Sequence, residues 1–162
     1  MGYSMEELAD RMEIIDVITR YVHALDDLDI DALDSVFTAD CMFDLTSAGA
    51  MRGQWASIVK PFFASMHKSF KHDFHYFTNS RITFVDQART QARVRHKVVN
   101  PCVVVRDGKE FHHQIHGTYD DLFVRKPEGW RVQERTWNMG WISGDNPYVG
   151  TTIGEARIAA AN

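Results

Sequence analysis

Residues 90–98 read TQARVRHKV, and this short stretch decides the fold class. Basic side chains occupy every second position from residue 93 to 97, and they alternate with alanine, valine and His96. A change between polar and apolar side chains at every residue is typical of a strand with one solvent-exposed face and one buried face. The same period recurs through the second half of the chain and predicts strands over residues 75–86, 90–106, 110–125 and 130–142, with a shorter one at 41–46. Asp107-Gly108 and Pro127-Glu128-Gly129 are turn signals that predict hairpins between the last three strands.

The N-terminal part of the chain has a helical period instead. Ser4 and Glu7 stand in capping-box positions before an apolar stripe that reaches Leu25, which predicts a helix of about five turns. Two further helices are predicted, a short one capped by Asp29 or Asp31 that ends near Thr38, and one between Gly53 and about His67.

This order of elements predicts an α+β domain in which the N-terminal helices pack in a curved, mainly antiparallel sheet whose open end forms a conical pocket. No linker-like segment or internal repeat interrupts the chain, so we expect one domain over residues 1–162. The tail over residues 147–162 has no pattern that predicts an element.

Composition narrows the function classes. The chain has 162 residues with a formal net charge of -4, which argues against a nucleic-acid partner. Charged residues within the first 25 positions exclude a signal peptide, and no later stretch is apolar enough to span a membrane. Two cysteines are too few for a disulfide framework, so we expect a cytoplasmic protein with no membrane partner. Ten Phe, five Tyr and four Trp are more aromatic bulk than packing alone requires.

Histidines and carboxylates are the residues left to carry chemistry, because glycine-rich phosphate loops, GxSxG, HExxH and CxxC are all absent. His112, His113 and His116 look like a metal cluster at first. On a strand, however, His113 points to the face opposite the other two, and no carboxylate or thiol at fixed spacing completes a site. We therefore expect no metal.

Two polar clusters stand out from this background. The first is Tyr21 to Asp26 at the end of the first helix, where the negative helix end makes a carboxylate unfavourable unless a cation or donor meets it. Solvated helix-terminating residues are the plainer interpretation of that cluster. The second is the run from His72 to Asn79, whose histidines either face a pocket or bridge backbone groups.

Three motifs occur along the chain in this order: the run ending Tyr21…Asp26, then His72-x-x-His75-Tyr76-x-Thr78-Asn79, then Gly117-Thr118-Tyr119…Gly129-Trp130-x-Val132 followed by Arg135. Together they resemble the nuclear transport factor 2-like (SnoaL-like) superfamily, in the branch that includes scytalone dehydratase, bile-acid 7α-dehydratase and hexachlorocyclohexane dehydrochlorinase. The resemblance covers about residues 5–145. It implies a cone-shaped α+β barrel, no cofactor, and a homotrimer rather than a dimer.

The resemblance also implies residue roles. Asp26 and His75 become a catalytic dyad, and Tyr21 and Arg135 become polar partners of the substrate oxygen or leaving group. Arg135 shares strand parity with Trp137, so both are expected on the inward face. Neutral His75, oriented by Asp26, would act as general base in a cofactor-independent lyase.

The aromatic surplus favours a small apolar, aromatic or polycyclic substrate. The residues expected to line its pocket are Phe43, Trp55, Phe62, Phe63, Phe74, Phe77, His96, Trp137 and Trp141. The same groups suit loss of water, loss of a small aldehyde by retro-aldol-type cleavage, or a double-bond shift as in a ketosteroid-isomerase-like isomerase or cyclase. A small-ligand binding module without catalysis is the alternative from another class.

Overall fold

The alternating stretches form long strands in the computed structural model, which describes residues 2–145 and 147. The helices and strands, in chain order, are α1 (Met5–Asp26), β1 (Phe37–Asp44), β2 (Arg52–Gln54), α2 (Lys60–Met66), β3 (Phe70–Asp73), β4 (Tyr76–Phe84), β5 (Gln91–Arg106), β6 (Lys109–Lys126) and β7 (Gly129–Gly144). The four long strands predicted from the alternation are confirmed, with ends displaced by a few residues.

The seven strands form one curved mixed sheet in the order β2-β1-β7-β6-β5-β3, with β4 also paired to β5. All neighbours are antiparallel except β1, which runs parallel to β7. One edge of β5 is shared by two short partners, since β4 pairs with its first half and β3 with its second half. A two-residue break at residues 74–75 separates β3 from β4, and it contains His75.

The predicted turn at Asp107-Gly108 joins β5 to β6. Both residues have positive φ, 52° and 75°, as a two-residue hairpin turn of type I′ requires. The turn before Gly129 joins β6 to β7 in the same antiparallel sense. These two hairpins account for the largest part of the sheet.

The helical predictions need correction. α1 begins after Ser4, whose hydroxyl accepts from the Glu7 N–H, as predicted. The predicted second helix is only a 3-10 turn over Ala32–Ser35, because the chain extends into β1 before Thr38. The predicted third helix is divided into a π-helical turn over Trp55–Val59, α2, and a 3-10 turn over His67–Ser69. Strand β3 was not predicted.

α1 packs across the concave side of the sheet and contributes Ile14, Val17, Tyr21 and Leu25 to one hydrophobic core. Aromatic rings from β1 and the π-helical turn complete it, with Phe37 and Trp55 at 4.7 Å between ring centroids. No helix in residues 2–145 has the length and apolarity needed to cross a membrane. Apart from Pro147, the predicted tail lies outside the described residues.

Candidate active site

A cavity of about 260 Å³ opens between α1, α2 and the concave face of the sheet. Most of its lining is apolar, and Phe62, Phe63 and Trp137 belong to it as predicted from the sequence. Its polar lining residues are Tyr21, His67, Ser69, Asp73, His75, Asn100 and Tyr119. A mostly apolar pocket with a few convergent polar groups is the usual form of a small-molecule binding site.

The first polar group is the pair of Asp26 and His75, which the structure brings together. The ring Nδ1 of His75 lies 2.6 Å from Asp26 Oδ1, and the backbone N–H of His75 donates to Asp26 Oδ2 at 3.1 Å. The two side chains are 13% and 11% exposed. One carboxylate therefore fixes both the backbone and the ring of the histidine, and Nε2 is the ring nitrogen left for a ligand in the cavity.

Local structure explains this pair. α1 ends at Asp26, and His75 lies in the break between β3 and β4, where its N–H has no strand partner to bind. Residues at a helix C-terminus are near the negative end of the helix dipole, so a carboxylate there needs donors. His75 supplies two, and a solvated helix end is thus not the role of Asp26.

A second histidine–carboxylate pair lines the same cavity. His67 Nδ1 lies 2.8 Å from Asp73 Oδ2, and Asn100 Nδ2 donates to Asp73 Oδ1 at 2.6 Å. Burial by itself would raise the pKa of Asp73, but the hydrogen bonds from His67 and Asn100 and the electrostatic influence of His75 and His67 outweigh it and lower that pKa. The centroids of the His67 and His75 rings are 6.3 Å apart. No site role was predicted for His67 from the sequence.

Two tyrosines form the third polar feature. Tyr21 and Tyr119 both line the cavity, with ring centroids 6.5 Å apart. Burial raises the pKa of each hydroxyl above its ordinary value, and for Tyr21 the neighbouring Tyr119 adds to the rise. Both groups therefore stay protonated at neutral pH and can donate hydrogen bonds. Tyr119 belongs to the motif Gly117-Thr118-Tyr119, but no site role was predicted for it from the sequence.

Arg135 lies outside the cavity lining, which corrects its expected contact with the substrate. Its Nε and Nη2 donate to the two oxygens of Asp121 at 2.9 and 2.7 Å, and both side chains are 0% exposed. The guanidinium carbon is 4.2 Å from the ring centroid of Tyr21 and 4.5 Å from that of Tyr119. Strand parity gave the correct face, but Arg135 lies deeper than the cavity and supports the two tyrosines through cation–π contacts.

His96 belongs to this buried group, not to the lining where it was expected. Its Nε2 is 3.2 Å from Asp121 Oδ2 and its Nδ1 is 3.0 Å from the Ser80 hydroxyl. Burial opposes ionisation of Asp121, but the charge of Arg135 and the hydrogen bonds from His96 and Arg135 lower its pKa. Both ring nitrogens of His96 are already engaged.

Several aromatic residues are also placed elsewhere than predicted. Phe43 and Trp55 pack in the core, and Phe63 packs edge-on against both and separates them from the cavity. Phe77 is stacked on Tyr119 within the protein, with ring centroids 5.6 Å apart. Phe74 is an exposed residue of the break.

Trp141 is 60% exposed because β7 contains a bulge. His116 of β6 pairs with Trp141, whereas Gly117 pairs with Met139, so Gly140 is an extra residue in β7. The extra residue moves Trp141 to the outer face, where it stacks on His116 at 4.4 Å. A side chain on Gly140 would meet the His116 carbonyl oxygen at 2.8 Å, so the close approach of the strands needs glycine.

The remaining histidines do not join the cavity. His112 Nε2 is 3.3 Å from Glu110, and His113 Nε2 is 3.2 Å from the thiol of Cys102. Burial raises the pKa of Cys102 to about 12, which keeps it a thiol. Within residues 2–145 and 147, no three His, Cys, Asp or Glu side chains are grouped to hold a metal ion.

A cone of sheet around helices, with an apolar cavity at its open end, is the nuclear transport factor 2-like fold, as the resemblance predicted. The chain belongs to the SnoaL-like domain family, whose model matches residues 6–136. The family expected from the motifs is thus confirmed.

Relatives agree with this assignment. An uncharacterised protein of Mycobacterium tuberculosis is 33% identical over 82% of this chain and 86% of its own length. The solved structure of a candidate aromatic ring hydroxylase from Novosphingobium aromaticivorans is 31% identical, with a TM-score of 0.73 over 85% of this chain and 94% of that one. A hexachlorocyclohexane dehydrochlorinase of Novosphingobium barchaimii shares the fold at 17% identity and a TM-score of 0.72, covering 86% of this chain and 92% of its own.

Proposed function

We propose that this protein is a cofactor-independent lyase that acts on an aromatic alcohol. The observation that carries the proposal is the hydrogen bond of 2.6 Å between His75 Nδ1 and Asp26 Oδ1 at the wall of an apolar cavity. Among the relatives, the dehydrochlorinase is named for an elimination and the candidate hydroxylase for an aromatic substrate, which supports both parts of the proposal.

His75 is the general base. The carboxylate of Asp26 holds the proton of the neutral ring on Nδ1, so the lone pair of Nε2 is directed to the cavity. When Nε2 takes a proton from the substrate, the imidazolium ion forms beside that carboxylate and is stabilised by it. Asp26 orients the ring and balances its charge.

Tyr21 and Tyr119 stabilise negative charge on a substrate oxygen. Their hydroxyls stay protonated and donate hydrogen bonds in a mostly apolar cavity, where such bonds are stronger than in water. Arg135 acts through them, because its guanidinium packs against both rings and donates hydrogen bonds to Asp121 through Nε and Nη2.

The size of the cavity suits one aromatic ring together with the reacting carbons. An apolar cavity of about 150 Å³ holds benzene, and this one measures about 260 Å³. A second ring of a diaryl substrate would extend toward the open side. Phe62, Phe63 and Trp137 supply the aromatic contacts to the enclosed ring.

Two lyase reactions fit these groups. In dehydration, His75 removes a proton from carbon, the C–H electron pair forms a C=C bond, and the neighbouring C–O bond breaks to release water. In aldehyde loss, His75 removes the proton of a primary hydroxyl, the adjacent C–C bond breaks to release formaldehyde, and its electron pair forms the C=C bond as a second hydroxyl takes up a proton and leaves as water. Neither reaction needs an oxidant.

The proposal is tested with aromatic β-hydroxy ketones and diaryl propanediols, by following the ultraviolet absorbance of a new conjugated double bond. Wild-type protein is expected to produce it, and His75→Ala and Asp26→Asn are expected to lower kcat/KM by about 10²-fold to 10⁴-fold. The matched controls are His72→Ala and Asp27→Asn, both exposed and outside the cavity lining, which should keep wild-type activity.

Other products identify the alternatives. Recovery of an isomer of the same mass indicates the isomerase or cyclase, and a product heavier by one oxygen atom indicates a hydroxylase. Tight binding without turnover indicates a binding module. Near-normal turnover by His75→Ala would show that the base has been assigned wrongly.

A further inference from the structure

The second pair, His67 with Asp73, is not used by the reaction as described so far. It lines the same cavity as His75, and its side chains are 4% and 5% exposed. Desolvating a carboxylate is unfavourable unless its oxygens are well bonded, so a buried aspartate in a cavity wall is held there by specific partners. Here both oxygens are bonded, one to His67 and one to Asn100.

We infer that His67, as its imidazolium ion, is the general acid that protonates the departing hydroxyl group. The inference rests on the proposed lyase function and adds a second proton donor to it. Both proposed reactions expel hydroxide from carbon, and hydroxide is a poor leaving group unless a proton reaches it as the C–O bond breaks.

The charge of Asp73 suits this role. Its lowered pKa keeps it ionised at neutral pH, so a carboxylate oxygen lies 2.8 Å from Nδ1 of His67 and fixes the orientation of the ring. The hydrogen bond from Asn100 fixes the carboxylate in one orientation. With Nδ1 engaged, the proton that can be delivered into the cavity is the one on Nε2.

The distance between the two histidines suits one substrate. Their ring centroids are 6.3 Å apart, and a hydrogen bond from each ring reaches about 3 Å. One group of adjacent carbon and oxygen atoms can therefore contact both rings. Phe63 and Phe70 pack against the ring of His67, with centroids at 5.6 and 5.5 Å, and hold it in place.

The proton balance closes over one turnover. His75 gains the proton taken from the substrate, and His67 gives its Nε2 proton to the leaving oxygen, which departs as water. Afterwards His75 is cationic and His67 neutral, and exchange of one proton through water at the open side of the cavity restores the starting state.

The test compares two leaving groups on one carbon skeleton. The substrates are the β-hydroxy ketone made by aldol addition of acetone to benzaldehyde, and its β-chloro analogue. Chloride needs no proton to leave. We expect His67→Gln to lower kcat/KM for the alcohol by about 10²-fold or more, and to change that for the chloride by less than about fivefold. His75→Ala should lose both, and His72→Gln, an exposed neighbour, should lose neither.

Equal losses on the two substrates in His67→Gln, or no loss on either, would overturn the inference. Asp73→Asn keeps the shape of the side chain and should show the same preference for chloride, so the test does not depend on the folding of one variant. Thermal unfolding by circular dichroism checks both. If wild-type protein converts neither these two compounds nor the diaryl propanediols, the proposed lyase function itself fails. Absence of wild-type activity thus distinguishes that failure from a failure of the role inferred for His67.

Discussion

Three histidine–aspartate pairs occur among the described residues, and the pair of His75 with Asp26 differs from the pair of His96 with Asp121 in what surrounds it. His75 lies at the cavity wall, and behind it the carboxylate of Asp26 accepts hydrogen bonds from the backbone and ring of that histidine. Asp121 and His96 are 0% exposed, and Asp121 also accepts two hydrogen bonds from Arg135. His75 keeps one ring nitrogen available to a ligand in the cavity, whereas both ring nitrogens of His96 are hydrogen-bonded within the protein. The same residue types therefore build an acid–base site in one place and a structural support in the other.

The largest difference between the two pairs is expected in the free energy of unfolding of variants that remove one partner from each. Arg135→Met removes the guanidinium from the buried carboxylate of Asp121 and leaves it with the hydrogen bond to His96, and removal of one partner of such a buried pair typically costs about 3–5 kcal/mol. Urea unfolding should show this loss in Arg135→Met. His75→Ala, which removes a partly exposed ring from the cavity wall, should lose clearly less stability.

The double variant Arg135→Met with Asp121→Leu is the control. Replacing both partners of a buried ion pair by apolar side chains is often close to neutral, so it should recover most of the loss. If Arg135→Met unfolds like wild-type protein, the buried pair is not the support described above. If His75→Ala is as destabilised as Arg135→Met, the contrast between the two regions is lost.

The sheet could be predicted from the sequence because alternation and turn residues are local signals. The sequence of β5 alternates over the first half of the strand, and Asp107-Gly108 has the backbone preferences of its turn. The resemblance added Asp26 and His75, which are 49 residues apart and have no local signal in common.

Depth in the fold could not be predicted. Alternation tells which face of a strand a side chain occupies, but not how far along the cone it lies, so Arg135 and Phe43 were expected at the cavity and are found in the interior. A bulge changes even the face, as the extra Gly140 does for Trp141. His67 was missed because its partner Asp73 lies beyond an unpredicted turn and strand.

An effect of intermediate size is expected on the stability of the folded protein at acidic pH. The folded-state pKa of Asp121 is lower than the value of about 3.9 for aspartate in an unfolded chain. Its charged form therefore contributes stability that is present above that value and is lost as the pH falls through the folded pKa. Urea unfolding at a series of pH values from 5 to about 2 should show wild-type protein losing stability progressively.

The double variant at positions 121 and 135 has no carboxylate at that site, so its stability should fall less steeply over the same range. Asp73, whose pKa is also lowered, remains in both proteins and accounts for part of the slope that stays. Equal slopes in the two proteins would mean that the buried pair contributes nothing to the acid sensitivity.

The smallest effect is expected at Trp141, which tests whether the bulge separates it from the site. Because its ring lies on the outer face against His116, Trp141→Ser should change the free energy of unfolding by no more than about 0.5 kcal/mol and kcat/KM by about twofold at most. Trp137→Ser, four residues away on the same strand, removes a ring from the cavity wall and should raise KM for an aromatic substrate. Urea unfolding and steady-state kinetics on the two variants measure both effects. A loss of several kcal/mol in Trp141→Ser would mean that this face of the sheet is covered in the working protein, since an exposed ring has too few contacts to account for it.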